Sequence, residues 1–150
     1  MSIAIYPGSF WKFHEGHLDV LNKALKIFDK VIIAIGMNQA KSPPSMTLKK
    51  DNPLLEWVLT LPEYKDRIEV RDFYCLLVDY LESFEKNNIK ISAVIRGLRN
   101  GSDLQYEMNM QYINEDLGLQ IPVIYFITDR KLCHISSSIL REIHKFREEK

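Results

Sequence analysis

The chain has 150 residues, of which 46% are hydrophobic, and its 20 basic and 20 acidic side chains give a formal net charge of zero. This length and apolar content predict one domain with its own core, and the balanced charge argues against a general binder of nucleic acid or of membrane surfaces. No apolar run reaches the ~18 residues of a membrane span, and no basic segment precedes an apolar run at the N-terminus, so we expect a cytoplasmic protein. Cys75 and Cys133 have no metal-ligand spacing and are expected to stay reduced.

Short apolar runs alternate with segments of helical spacing along the chain. In order, we predict a strand at 2–6, a helix from 17 to about 29, a strand at 31–35, a loop at 38–52, a helix at 54–61, a strand at 68–70, a helix at 76–87, a strand at 91–95, a helix at 104–117, a strand at 123–127 and a helix from 136 to about 147. The run VIIAI at 31–35 is apolar throughout, which is typical of a parallel strand buried on both faces. The sequence therefore predicts a single-domain α/β fold with a doubly wound, five-stranded parallel sheet of Rossmann-like type.

Three unusual segments coincide with the ends of predicted strands. The first, at 6–17, begins YPGSF and ends HEGH; the second, at 96–99, reads RGLR; the third, at 135–138, reads ISSS. Because the carboxyl ends of parallel strands share one edge of a sheet, we expect the three segments to lie side by side in a ligand site.

The chemistry of these segments suits a triphosphate. A helix that opens at His17 presents unpaired N–H groups and the positive end of its dipole, while Arg96 and Arg99 offer multidentate donors to phosphate oxygens. The serines at 136–138 add hydroxyls at another predicted helix start. A metal site built on His14 and His17 is not expected, because their spacing is three and not the four found in zinc proteases.

The same segments resemble the nucleotidyltransferase superfamily through Ser9-Phe10, the HxGH pattern at 14–17 and ISSSILR at 135–141. More specifically, AIYPGSF at 4–10, IRGLR at 95–99 and Tyr106-Glu107 resemble bacterial phosphopantetheine adenylyltransferases, over nearly the whole chain. The resemblance implies transfer of AMP from ATP to 4′-phosphopantetheine, giving dephospho-coenzyme A and pyrophosphate in coenzyme A biosynthesis. It also implies Mg²⁺ held mainly through the ATP phosphates, and a homo-oligomer, since that family is typically hexameric.

The resemblance further implies roles for individual residues. His17 would stabilise the transition state at the α-phosphate, with direct in-line attack and no covalent intermediate. The implied contacts of the acceptor substrate are Ser9, Lys41, Leu77 and Arg96. The implied contacts of ATP are Ser9, Phe10, His17, Gly97, Leu98, Arg99, Glu107, Leu132, Cys133, His134, Ile135, Ser136, Ser137 and Ser138.

The sequence departs from that family at several positions. Trp11-Lys12 stands where Asp-Pro usually follows the Phe, which removes an acid and a rigid turn; Lys12 either contacts phosphate or lies in solvent. Lys41 lies in AKSPP, where two adjacent lysines before Pro are usual. Trp57 also departs from the family, and we expect it in the core or at a subunit interface.

Two alternatives to this function remain open from the sequence. One keeps the chemistry but changes the acceptor to nicotinamide mononucleotide or to an alcohol phosphate such as glycerol phosphate. The segment HISSS at 134–138 lacks the RxxGISTT pattern of cytidylyltransferases, which disfavours CTP as donor. The other alternative is a nucleotide- or coenzyme-A-binding module that has lost catalysis, for which Trp11-Lys12 is the only support.

Overall fold

The computed structural model describes residues 1–37 and 52–148. Strands and helices alternate along this part of the chain: β1 Ile3–Gly8, α1 Glu15–Leu25, β2 Lys30–Gly36, α2 Pro53–Thr60, β3 Ile68–Phe73, α3 Leu77–Lys86, β4 Ala93–Leu98, α4 Gly101–Asp116, β5 Val123–Ile127 and α5 Ser137–Glu148. Short 3₁₀ turns at Pro62–Tyr64 and Arg130–Leu132 precede β3 and α5. Most of the predicted loop at 38–52 lies outside the described residues.

The strands form one parallel sheet in the order β3-β2-β1-β4-β5. The predicted α/β fold with a five-stranded, doubly wound parallel sheet is confirmed. From β1 at the centre, the chain first builds outward through β2 to β3 and then returns to β4 and β5 on the other side. The strand order therefore reverses between β1 and β4, the place where ligands bind in sheets of this kind.

The two central strands separate at this reversal point. β1 and β4 pair only at Ala4 with Ala93 and at Ile5 with Val94. Beyond that, β1 stays paired with β2 as far as Gly8, and β4 stays paired with β5 as far as Leu98. A crevice consequently opens between the carboxyl-terminal halves of β1 and β4.

The core lies on both faces of the sheet, as the continuous apolar strands predicted. On β2, the side chains of Val31, Ile33 and Ile35 join a cluster with α1 and α2, to which Val20, Leu21, Ala24, Leu55 and Val58 belong. Ile32 and Ala34 point the other way and join a second cluster with Val78, Leu81 and Phe84 of α3. Burial on both faces anchors the central strands and so fixes the position of the crevice between them.

Several predicted boundaries are wrong. β1 continues through Pro7 to Gly8. Pro7 still pairs with Ala34 of β2, so the proline does not end the strand. β4 begins at Ala93 and includes Arg96, which pairs with Tyr125 of β5. The predicted strand at 91–95 therefore ended too early, and the RGLR segment lies largely within the strand. β3 likewise extends to Phe73.

Two helices begin earlier than predicted because polar side chains cap them. α1 begins at Glu15, with His14 as its N-cap. α4 begins at Gly101, where the side chain of Asn100 accepts a hydrogen bond from the backbone N–H of Asp103 at 2.9 Å. A cap of this kind satisfies an N–H group that has no partner inside the helix.

Three further expectations concern single residues and helices. Cys75 and Cys133 are both free thiols. Trp57 is 56% exposed on α2, so its assignment to the core is wrong, while the interface alternative stays a prediction. Among the described helices, none combines the length and apolar character needed to cross a membrane.

Candidate functional site

A cavity of about 420 Å³ lies at the crevice between β1 and β4. The three segments predicted to form a site all contribute to its wall. Of the predicted site residues, those that line it are Ser9, Phe10, His17, Arg96, Gly97, Arg99, Glu107, Ser136 and Ser138. The volume is within the range of small-molecule sites, which is ~300–1,000 Å³.

The side chains of His14 and His17 both accept hydrogen bonds from backbone N–H groups at the start of α1. Nδ1 of His14 accepts a hydrogen bond from the N–H of Gly16 at 3.1 Å, and Nδ1 of His17 accepts one from the N–H of His14 at 3.2 Å. His17 is therefore the third helical residue, and the prediction that it opens the helix is wrong. The physical reason is that an imidazole nitrogen of His14 serves as the capping acceptor that Asp, Asn or Ser usually supplies.

His17 is a neutral donor in an aromatic surrounding. Its ring stacks on His14 with 3.7 Å between centroids and lies 4.9 Å from Phe10 and 5.4 Å from Phe13. Burial lowers the pKa of His17 well below its usual value, and the nearby His14, Arg99 and Arg96 lower it further. Because Nδ1 accepts a hydrogen bond, the proton of the neutral ring is on Nε2, which leaves an N–H donor at the cavity wall.

Arg96 is held between the two separated strands. Its Nε and Nη2 donate to the carboxylate of Glu107, with Nη2 at 2.7 Å from Oε1, and its Nη1 donates to the carbonyl of Pro7 at 2.6 Å. Burial tends to lower the pKa of Arg96, but the hydrogen bonds and charge of Glu107 outweigh burial and raise it. The guanidinium thus stays charged and fixed beside the cavity.

Arg99 is oriented by a carboxylate one helical turn away. Its Nε and Nη2 bind the two oxygens of Asp103 at 2.9 and 3.0 Å, and its backbone N–H donates to the same carboxylate. These bonds raise the pKa of Arg99 and lower the pKa of Asp103. A longer bond of 3.4 Å from Nη1 to the carbonyl of Ile135 links Arg99 to the third segment.

The side chain of Asn52 holds the loop from Phe10 to Phe13 by hydrogen bonds to its backbone. The side chain of Asn52 is fully buried; its Oδ1 accepts from the N–H of Phe13 at 2.6 Å, and its Nδ2 donates to the carbonyl of Phe10 at 3.2 Å. Phe10 has a φ of 42°, a left-handed conformation that a bulky residue adopts only when its surroundings enforce it. Asn52 is part of that enforcement and holds the wall of the cavity that Phe10 lines.

The other predicted site residues do not line the cavity. Leu132, Cys133, His134 and Ile135, in the 3₁₀ turn and the residues after it, are not part of its wall. Leu98 ends β4 outside the wall, and Leu77 packs against the apolar cluster at the start of α3. Lys41 lies outside the described residues. Ser137, in the same segment, is the first residue of α5.

Some residues of the site were missed from the sequence. His14, Asp103, Tyr106 and Thr128 line the cavity, and Asn52 braces it. Asp103 pairs with Arg99 across the turn that leads from β4 into α4, a geometry that the predicted helix at 104–117 did not include. Asn52 carried no local signal, because its partners lie 39 and 42 residues away.

This chain is similar to known proteins over nearly its whole length. A Cytidylyltransferase-like family model matches residues 5–143. The phosphopantetheine adenylyltransferase of Natranaerobius thermophilus is 39% identical over 97% of this chain and 85% of its own, and that of Nautilia profundicola is 38% identical over 95% and 87%. The chain belongs to the phosphopantetheine adenylyltransferase family. The resemblance seen in the sequence is thereby confirmed.

Two solved structures of low sequence identity to this chain share its fold. A bifunctional NMN adenylyltransferase/ADP ribose pyrophosphatase of Francisella tularensis, complexed with AMP and a manganese ion, superposes with a TM-score of 0.62 at 22% identity. The match covers 95% of this chain and 41% of that longer one. Pantothenate synthetase of Thermus thermophilus matches 95% of this chain and 64% of its own, with a TM-score of 0.53 at 12% identity.

Proposed function

We propose that this protein transfers AMP from ATP to 4′-phosphopantetheine, forming dephospho-coenzyme A and pyrophosphate as a step of coenzyme A biosynthesis. The names of relatives that match nearly the full chain support this acceptor. The observation that carries the chemistry is the cavity at the reversal point, where the Nε2–H of neutral His17 and the guanidinium groups of Arg96 and Arg99 share one wall.

The reaction needs no protein nucleophile, because the acceptor already carries a phosphate. An oxygen of that phosphate attacks the α-phosphorus of ATP in line, and the bond from that phosphorus to pyrophosphate breaks. The enzyme then has two tasks, to position two polyanions and to stabilise the charge of the transferred group. Trapping of a covalent AMP–protein adduct during turnover would contradict this mechanism.

His17 donates from Nε2 to a non-bridging oxygen of the α-phosphate as charge develops there. A neutral donor suits this role, since its proton stays in place throughout the reaction and its position is fixed beforehand by Nδ1. Arg96 and Ser9 bind the acceptor phosphate. Arg99 binds the phosphates of ATP, with the remaining N–H groups that Asp103 and Ile135 leave available.

The remaining assignments rest on the family resemblance. Leu77 lines the pantetheine site and Lys41 binds the acceptor phosphate. Contacts to ATP come from Phe10, Gly97, Leu98, Glu107 and residues 132–138. For Phe10 the contact is through the ring edge or the backbone, because only 2% of the residue is exposed.

Magnesium fits this cavity as an ion brought by ATP. Asp103 and Glu107 both bind arginines, and among the described residues no group of three or more His, Cys, Asp and Glu side chains is arranged to hold a metal. When bound to the triphosphate, Mg²⁺ supplies neutralisation of phosphate charge, a common mode for this ion. Manganese accompanies AMP in the structure from Francisella tularensis.

The direct test is a matrix of two nucleotides and three acceptors. Pyrophosphate release is measured with ATP or CTP against 4′-phosphopantetheine, nicotinamide mononucleotide and glycerol 3-phosphate. We expect turnover with ATP and 4′-phosphopantetheine at a kcat/KM at least 100-fold above every other pair. Equal or faster turnover with another pair would reassign the substrate, and binding without any turnover would indicate a module that has lost catalysis.

We also propose that the protein works in the cytoplasm as a homo-oligomer, a hexamer by family resemblance. Large apolar side chains that are at least 40% exposed lie on α4 and α5, including Leu104, Met108, Ile113, Ile139 and Phe146. Contact with other subunits would remove these apolar side chains from water. Light scattering coupled to gel filtration gives the assembly size, and a monomer at micromolar concentration would contradict this proposal.

A further inference from the structure

Trp11, one of the residues that departs from the family, lies against helix α5. The Cζ atom of Arg141 is 4.9 Å from the centre of the indole ring. The ring of His144 lies 6.1 Å away, edge towards face at 63°. Positions 141 and 144 are three apart and share one face of the helix, so Trp11 faces α5 over about one turn.

Trp11 contacts a part of α5 that is largely exposed to solvent. Residues 141–148 are all exposed, and Arg141 lies over the indole ring. An arginine above an indole at an exposed site contributes an attraction of about twofold to fivefold in an equilibrium constant. This contact therefore adds to how firmly the exposed part of α5 is held against the rest of the protein.

The opposite end of α5 forms part of the cavity. Ser136, just before α5, and Ser138, in its first turn, line the same cavity as His17. A hydrogen bond of 3.4 Å from Arg99 to the carbonyl of Ile135 links the residues before α5 to Arg99, and this distance is long for a hydrogen bond. A rotation of α5 about this weak link would move both serines.

We propose that Trp11 is a positioning residue that holds α5, through Arg141 and His144, so that the serines at its start are placed for the phosphates of ATP. The indole thereby replaces, by an aromatic contact to the last helix, the rigid Asp-Pro turn that this chain lacks. The link to ATP rests on the proposed function. The docking of α5 onto Trp11 does not.

Trypsin tests the docking without any substrate, since α5 contains Arg141, Lys145 and Arg147. Trp11→Leu keeps the apolar bulk but removes the aromatic face, Trp11→Phe restores a smaller one, and Trp57→Leu changes the other, exposed tryptophan on α2. The rate of cleavage within α5 is divided by the rate elsewhere in the chain, which cancels any general loss of stability. We expect a ratio about twofold to fivefold above wild type for Trp11→Leu, an intermediate ratio for Trp11→Phe and no change for Trp57→Leu. An unchanged ratio in Trp11→Leu would overturn the proposal.

Steady-state kinetics then test the link to ATP. For Trp11→Leu we expect the KM for ATP to rise about twofold to fivefold, the size that loss of one such contact supports, whereas the KM for the acceptor substrate should stay close to the wild-type value. Trp11→Phe should recover most of the loss. An unchanged KM for ATP together with faster cleavage of α5 would overturn the positioning role. If the wild-type protein itself released no pyrophosphate, the proposed function would fail, while the trypsin ratios would still decide whether Trp11 holds α5.

Discussion

The backbone N–H of His14 donates a hydrogen bond to Nδ1 of His17, and this one bond determines what His17 can do. It places the proton of the neutral imidazole on Nε2 and fixes the ring plane against His14. The bond exists because His14 caps α1, so the helix start and the donor atom of the site come from the same four-residue segment. A change at position 14 therefore acts on both stability and chemistry.

The two partly buried imidazoles of His14 and His17 make the protein sensitive to acid. Burial, with a contribution from Arg99, lowers the pKa of His14 to about 4 from the usual 6.5. The unfolded chain binds a proton as the pH falls below about 6.5, whereas the folded protein does not until about pH 4, so stability is full above this window and is lost progressively as the pH falls through it. His17, whose pKa is also lowered, acts in the same direction.

The predicted loss of stability in acid is checked by measuring the urea concentration at the midpoint of unfolding between pH 7.5 and pH 4.5. His14→Asn is the matched variant, because Asn is also a good N-cap but does not titrate. We expect a shallower fall of the midpoint with acid in His14→Asn than in the wild type. The same fall in both proteins would show that His14 does not contribute.

Gly97 allows β4 to approach α1 closely. A Cβ at this position would lie 2.8 Å from Cγ2 of Val20, a β-branched side chain that is 1% exposed and cannot move aside. We expect Gly97→Ala to lower the free energy of unfolding by about 1–3 kcal/mol, as overpacking of a filled core does. Val20→Ala in the same chain should recover part of this loss.

The control for Gly97→Ala is Gly101→Ala, at the start of α4. Among the described residues, no atom beyond its chain neighbours and its own helix backbone lies within 4 Å of a Cβ built there. Its unfolding free energy should stay within about 0.5 kcal/mol of wild type. Equal effects at positions 97 and 101, measured by chemical unfolding, would show that the close approach of Val20 is not what matters.

Asn52 is the brace whose loss should loosen the wall of the cavity. Asn52→Ala leaves the N–H of Phe13 and the carbonyl of Phe10 without this partner in a buried place. We expect a loss of about 1–3 kcal/mol in unfolding free energy, together with a lower kcat, because Phe10 and His17 are in contact. The control Asn109→Ala, on the exposed part of α4, should change neither quantity.

The fold was predictable because most strands contain an apolar run and α1 and α3 have a clear apolar spacing, whereas β3 and α4 carry weaker patterns. Buried runs such as 31–35 allow few other structures, and the alternation of strand and helix leaves a parallel sheet as the natural solution. The meeting of the three segments at one cavity followed from this topology alone.

What the sequence missed depends on single long-range or unusual contacts. The start of α1 was misplaced because histidine is an uncommon cap, and the end of β4 because polar Arg96 pairs with β5 beyond the apolar run. Asn52 and Trp11 act on partners far along the chain, with which they share no local pattern. Such contacts form only in the folded protein and produce no periodic pattern in the sequence.

The central claim, that Nε2 of neutral His17 stabilises the transferred phosphoryl group, is tested most directly by the rate of dephospho-coenzyme A formation in His17→Ala. With both substrates saturating, we expect kcat to fall by about 10²- to 10³-fold, as when one transition-state donor is removed, with the KM values within about threefold of wild type and the circular dichroism spectrum of the fold retained. A folded His17→Ala protein with a kcat within about threefold of wild type would contradict the account.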